Sequence, residues 1–545
     1  MNQFVLEGYL ADIQNKKFVP SRIQVRDGFI QSIESIDHPG KEQYIIPGLV
    51  DSHIHIESSM MSPQQFSLIA MAHGTVATVS DPHELANVLG QQGIDFMVQS
   101  CRRAPLKFYF GVPSCVPATP FETSGAVIDS KTVNELLSDD RFKYLAEMMN
   151  FPGVINRDEE VMAKLEAAKR YGKPIDGHAP GVRGNDLSKY AGAGISTDHE
   201  SGSYEEALEK IRSGMMIQIR EGSAAKDFDA LMRLVDQFPE QIMLCSDDRH
   251  PDDLLEGHIN GLILKGLNQG LDFFNLLRAA TWNPVKHYNL EVGLLQEGDP
   301  ADILVIDQPE SFNVKSVYIQ GEQVYDGNRV LFEPVPEGSP NIMNTGDLSL
   351  SDLLVPARQQ EVLVIQAHDH QLFTSSAREV LKSKDGHLQA DINKDILKIA
   401  VLNRYQPQKP AVGFIKNFGL RQGAIGSSIA HDSHNLIVVG VDDQSILLAF
   451  QELIRQRGGI VVCREGQCEG LPLEIAGLMT HMPGRKIAEA YTRLSTMARE
   501  MGCQLTAPFM TLSFMALPVI PELKITDQGL FDVNKFQYTS IYAEQ

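Results

Sequence analysis

The chain has 545 residues, more than one compact core accommodates, so two to four domains are expected. Lys and Arg total 48 against 70 for Asp and Glu, and the formal net charge of −22 excludes a phosphate backbone, and so a nucleic-acid polymer, from the expected partners. The opening segment MNQFVLEGYLAD lacks a basic stretch followed by an apolar core, and no apolar run approaches the roughly 20 residues of a membrane helix. A soluble, cytoplasmic protein with no membrane partner is expected. The six cysteines are scattered, their only close pair, CREGQC, lacks zinc-knuckle spacing, and they are read as reduced thiols.

Residues 1–48 alternate in short β-like pieces, FVLEGYLADI and SRIQVRDGFIQSIESI, broken by Gly and Asp. The same texture returns in LLQEGDPADILVIDQ and VKSVYIQGEQVYD, so 1–48 and 291–335 are expected to pair as one discontinuous small β-domain. Between them, over 49–290, short apolar strands alternate with helix-patterned segments, the sign of a parallel α/β architecture. Eight strands can be counted: GLVDSHIHI, TVATVSDPHE, KFYFGVPSC, KYLAEMMN, KPIDGHAP, GISTDHES, MMIQIREGS and IMLCSDDRHP. Eight such units predict a TIM-type (β/α)8 barrel, in which chemistry collects at the C-terminal strand ends. After the linker EPVPEGSPNIMNTGDLSL, residues 350–545 mix strands (VGFIKNFG, NLIVVGVD) with helices (SILLAFQELIRQRGG, RKIAEAYTRLSTMAREMG), which predicts a separate α+β domain.

His53 and His55 are spaced i, i+2, which in a strand places both imidazoles on one face, able to grip one cation. A second such pair, His368 and His370, shows that the spacing alone is common. The first is distinguished by what the other strand ends supply: Glu147 from the fourth, His178 from the fifth, His199 from the sixth, and Asp247 or Asp248 from the eighth. That is the set a binuclear hydrolytic site needs, with histidines for each metal, a bridging carboxylate and an acid to shuttle protons. Any one of them alone is as well explained by a solvated charge or a satisfied histidine; five at one face are not. The second strand adds Asp81, His83 and Glu84, to polarise substrate or hold a further cation, although Asp before Pro is also ordinary turn chemistry. Arg220 and Glu221, at the end of the seventh strand, form either a plain ion pair or a ligand contact. A phosphate loop, a Gly-x-Ser-x-Gly elbow and the cytidine-type zinc deaminase pattern are all missing from the sequence, and the contiguous HDSH at 431–434 does not suit a Ser-His-Asp relay.

On PGLVDSHIHIESSM, DPHELANVLG, PSCVPATPFETSGA, HAPGVRGNDLSKYAGAGISTDHES, SDDRHPDDLLEGHIN, GAIGSSIAHDSHNLIVVG and PFMTLSFMALPVIPELKITDQGL, nearly the whole chain resembles the bacterial adenine deaminases, a family of metal-dependent amidohydrolases. The resemblance implies hydrolysis of adenine to hypoxanthine and ammonia, with purine salvage as its setting, by a hydroxide activated between two divalent cations. Mn2+ is the implied metal, with Fe2+ or Zn2+ as alternatives, and a homo-oligomer is expected. It makes His53, His55, Glu147, His178, His199 and Asp247 the metal ligands, and Asp247 the catalytic proton carrier. Glu147 stands where related cyclic-amide hydrolases place a carboxylated lysine, and Lys143, at the start of that strand, should lie far from the metals. The family pattern leaves the ring-nitrogen proton donor open, with Glu84 the candidate; His83, Arg220, Glu221 and Asp248 are the substrate-binding candidates. The rivals are a hydantoinase or dihydroorotase type of hydrolase and a catalytically dead metal-binding scaffold. The loop SCVPATPFETSG is the candidate wall against a nucleoside.

Overall fold

The computed structural model describes residues 3–223 and 225–543. Strands from both sides of the central segment share one seven-stranded sheet, in the order Glu322–Tyr325, Val314–Ile319, Ile303–Ile306, Tyr44–Pro47, Gln3–Asp12, Lys17–Arg26, Phe29–Ser35. The seam is antiparallel, with Ile303 opposite Pro47 and Val305 opposite Ile45. Ile23, Val25, Ile45, Ile303 and Val305 bury one face as a small core of their own, while Ile46, Leu304 and Ile306 bury the other face of the central strands in the barrel core, so only the outer strands keep the apolar–polar alternation.

Each of the eight strands counted from the sequence is present. Leu49–Ile54, Thr75–Ser80, Lys107–Val112, Phe142–Met148 and Ile175–Gly177 form one parallel sheet, and Thr197–Asp198, Met216–Arg220 and Ile242–Cys245 form a second. Ser196 donates its N–H to the Ile175 carbonyl at 2.9 Å, and Asp247 donates its N–H to the His53 carbonyl at 3.0 Å. With a parallel bridge between Ile54 and Asp247, the strands close into a TIM-type α/β ring. The first two strands are buried along their whole length, so neither has a solvent face to impose apolar–polar alternation. The helix Glu159–Arg170 starts where the Asp158 carboxylate accepts the Val161 N–H and stops before Gly172, whose φ of +64° suits a residue without Cβ.

Beyond the linker, an eight-stranded sheet runs in the order Ser375–Val380, Glu361–Gln366, Ala411–Lys416, Ile396–Leu402, Leu436–Gly440, Ala424–Ser427, Gly459–Arg464, Gln467–Pro472. The helix Asp443–Arg455 packs Ile446, Phe450 and Leu453 against one face. The other face belongs to the same apolar core as the barrel, through residues such as Ile437, Val439 and Ile460. The region is therefore seated on the barrel. His250, just past the eighth strand, meets the Tyr491 hydroxyl at 2.7 Å, and Thr480 donates its N–H to the Met60 carbonyl at 2.9 Å.

The reading of six reduced thiols is corrected for one pair. Cys463 and Cys468 sit opposite each other in an antiparallel hairpin and form a disulfide, while Cys101, Cys115, Cys245 and Cys503 are buried free thiols. Their separation of five residues looks like no disulfide framework in the sequence, but hairpin register brings the two side chains face to face. Among the described residues no helix is long and apolar enough to cross a membrane.

Candidate active site

The strand-end residues converge. His53 and His55 reach the same side of the first strand with their Nε2 atoms 3.2 Å apart. Asp247 Oδ1 lies 3.7 Å from the first and 3.4 Å from the second. Glu147 stands between this group and the next: its Oε1 is 3.3 Å from His55 Nε2, while its Oε2 is 2.6 Å from His178 Nδ1 and 3.1 Å from His199 Nε2. All six side chains are buried. Lys143 is at the opposite end of the fourth strand, 3.7 Å from Glu291.

The donor set fits divalent cations. His55 Nδ1 faces the Asp81 carbonyl at 3.3 Å, and donating there leaves the Nε2 of a neutral ring as a lone pair. That lone pair points at carboxylate oxygens that are themselves acceptors. Acceptors facing one another in a dry site are costly unless a cation takes their electron pairs. Imidazole and carboxylate donors without a thiolate suit manganese, iron or zinc. Burial, and then the neighbouring His199 and His55, hold His53 well below its ordinary pKa, so its ring is neutral and free to offer a lone pair. Burial alone would raise the Glu147 carboxyl, but His178 and His199 beside it hold it well below the usual carboxylate range.

Two supports sit behind these groups. Asp51, two residues before His53, accepts the Ser246 N–H at 3.1 Å, the His53 N–H at 3.3 Å and His258 Nε2 at 2.8 Å, tying the first strand to the loop that carries Asp247. Arg220 Nη1 lies 3.0 Å from Asp247 Oδ2 and is held in turn by Glu200 and, at 2.7 Å, by Asp227. Glu200 was not among the sequence candidates; its only signal is that it directly follows His199. Burial would raise the Asp247 carboxyl, but the charges beside it, Arg220 foremost, hold it well below the usual range. Asp248 faces the same cavity and accepts from Ser58 Oγ at 2.5 Å. Glu221 does not: its carboxylate turns to Lys265 at 2.8 Å, outside the cavity.

The opposite wall comes from two sources. His83 is oriented by Asp81, which accepts its N–H and meets its Nδ1, both at 3.0 Å, so Asp81 is both turn cap and orienter. Glu84 is gripped on Oε1 by His431 Nδ1 at 2.8 Å and on Oε2 by His434 Nε2. The HDSH stretch is thus no relay of its own but a clamp on a barrel residue. Burial alone would raise Glu84; the two histidines hold it well below the usual carboxylate range. Burial opposes charge on His431, yet Glu84 lifts it to about 9. Phe514, which stacks on His431 with ring centroids 4.4 Å apart, forms an apolar roof with Leu517, Ile520 and Leu372. Beneath the roof, buried Lys524 donates to the Leu372 and Phe514 carbonyls at 2.8 and 2.9 Å.

The loop SCVPATPFETSG is not the inner wall. Its Ala118, Thr119 and Pro120 line a wider vestibule outside the metal-side cavity, because Phe121 is drawn outward onto Phe531, Phe536 and Tyr538. His368, of the other His-x-His pair, hydrogen-bonds Ser375 at 2.8 Å, and His370 is at the vestibule rim.

A closed parallel ring with histidines and carboxylates at its strand ends defines the class, the amidohydrolases, and the Amidohydrolase family model matches residues 44–324. A second model, the adenine deaminase C-terminal domain, matches residues 371–537. The adenine deaminase of Methanosarcina barkeri is 52% identical over 98% of this chain and 99% of its own length. Those of Salinibacter ruber and Borreliella burgdorferi are 47% and 43% identical at similar coverage. The chain belongs to the adenine deaminase family.

Proposed function

We infer that this enzyme hydrolyses adenine to hypoxanthine and ammonia, and we propose the following roles for its residues. The carrying observation is Glu147, placed with one oxygen toward His55 and the other toward His178 and His199, as a bridging carboxylate must be. His53, His55 and Asp247 would hold one cation and His178 and His199 the other, with Glu147 shared. When bound, a manganese pair, or iron or zinc in its place, supplies the positive charge that acidifies a water for attack on C6. Asp247, kept ionised by Arg220, takes a proton from the attacking water and passes it to the departing amino nitrogen. The ring-nitrogen proton is held by the Glu84–His431 pair at the cavity wall. Asp248 and His83 orient the base.

A cyclic-amide hydrolase of the hydantoinase kind is disfavoured because Glu147, not a lysine, occupies the bridge position, and a dead scaffold is disfavoured by the complete donor set. The organisation proposed is a catalytic barrel over 49–290, a β-domain from 1–48 and 291–335, and a C-terminal α+β domain over 350–545. A cytoplasmic homo-oligomer acting on the free base in purine salvage completes the reading, supported by the net charge of −22, which disfavours nucleotides. Manganese-loaded protein should release ammonia from adenine and little or none from adenosine, AMP or cytosine. Equal release from adenosine would refute the closed-pocket reading.

A further inference from the structure

Asp432 is 3% exposed, lines the metal-side cavity, and among the described residues its Oδ2 has no hydrogen-bond partner. A buried carboxylate oxygen left unpaired is costly, and one facing a ligand cavity calls for a donor from the ligand. Its position says which donor. His83 Nδ1 is 3.6 Å from Glu147 Oε1, and His83 Nε2 is 3.8 Å from Asp432 Oδ2. Asp432 therefore stands one imidazole's width from the proposed bridging carboxylate, on the wall of the same cavity. Glu84, the partner assigned to the six-membered ring's nitrogen, is already satisfied by His431 and His434.

Adenine has two kinds of N–H. The exocyclic amine must sit at the cavity floor to be lost. The other is the N–H of the five-membered ring, at N9 or, in the minor tautomer, at N7; every other ring nitrogen is an acceptor. We propose that Asp432 accepts this five-membered-ring N–H and is the residue by which the enzyme selects the free base. A nucleoside carries its sugar at N9 and has no such hydrogen, so it would bury Asp432 unpaired as well as overfill the roof of Phe514, Leu517 and Ile520. Sites that hydrogen-bond a substrate group reject analogues lacking it far more strongly than apolar pockets reject bulk. Burial pushes the Asp432 carboxyl up only to about 6, leaving it an acceptor at neutral pH.

The inference rests on C6 lying over the proposed metal pair, and its test is separable from that assignment. Asp432→Ala and Asp432→Asn are compared with wild type on adenine and on 9-methyladenine, with metal content measured on each protein. The expected result is a fall in kcat/KM for adenine of about a hundredfold in Asp432→Ala, no further fall for 9-methyladenine, and unchanged metal. The preference for adenine then collapses, as a broken pairwise contact requires. Should Asp432→Ala not fold, Asp432→Asn, which keeps the shape but not the charge, should narrow the preference about tenfold. A preserved preference in the folded variant, equal losses on both substrates, or loss of a metal equivalent would each overturn the proposal. A mistaken metal assignment would instead show as retained metal in ligand variants.

Discussion

In the barrel, the charged groups of the cavity stand at strand ends, and their spacing along the chain follows the repeat of the fold. In the C-terminal region the lining residues come from outside the strands: His431 and Asp432 from the loop between the strands Ala424–Ser427 and Leu436–Gly440, and Phe514, Leu517 and Ile520 from the segment after the helix Pro508–Ser513. In the proposed reading the barrel half holds the cations and most of the proton traffic, while the C-terminal half closes the cavity, supplies His431 and shapes what enters. Chemistry shared across a superfamily resides in the repeating element, and selection among substrates in the added one.

That division can be broken first at Asp247. Asp247→Asn keeps an oxygen ligand but removes the proton carrier, so bound metal should persist while kcat falls about a thousandfold or more; near-normal turnover would move the role to Asp248. Across the cavity, His434→Ala frees one oxygen of Glu84 and should lower kcat about tenfold with KM little changed, and His434→Gln should recover part of the loss by restoring a donor. If Ala and Gln behave alike, the contact with Glu84 is not what His434 supplies.

How much of this was readable in the sequence follows the same line. Eight apolar runs separated by helical patterns fixed the ring, and His53, His55, Glu147, His178 and His199 followed from where each run ended. Asp247 could be separated from Asp248 only by resemblance. Glu221 was misplaced because successive side chains of extended backbone alternate faces, so with Arg220 at the cavity the next one turns to Lys265. Nothing in HDSH announces Glu84 as its partner, since the contact from His431 spans 347 residues of sequence. Asp51 lies two residues before His53 and Glu200 directly after His199, and they differ from those proposed ligands only in what they touch.

Two smaller effects sharpen the comparison. Burial pushes the Lys524 ammonium under the roof down to about 7, from 10.5. Between those values the unfolded chain binds more protons than the folded one, so this residue makes stability rise with pH from about 7 to about 10 and adds no slope below 7. Relative to wild type, Lys524→Met should lose that rise in denaturant melts at pH 7 and 9; an identical pH slope would contradict the assignment. At the far end of the scale, His368→Ala removes a histidine that hydrogen-bonds Ser375 and should alter neither metal content nor turnover. A large loss of either would place the chemistry in the wrong half.

The most direct test of the account is elemental analysis of Glu147→Ala beside wild type and Asp432→Ala. If Glu147 bridges two cations in the barrel and the C-terminal wall binds only substrate, wild type and Asp432→Ala will each hold two metal equivalents per chain and Glu147→Ala at most one. Full occupancy in Glu147→Ala, or a missing equivalent in Asp432→Ala, would contradict it.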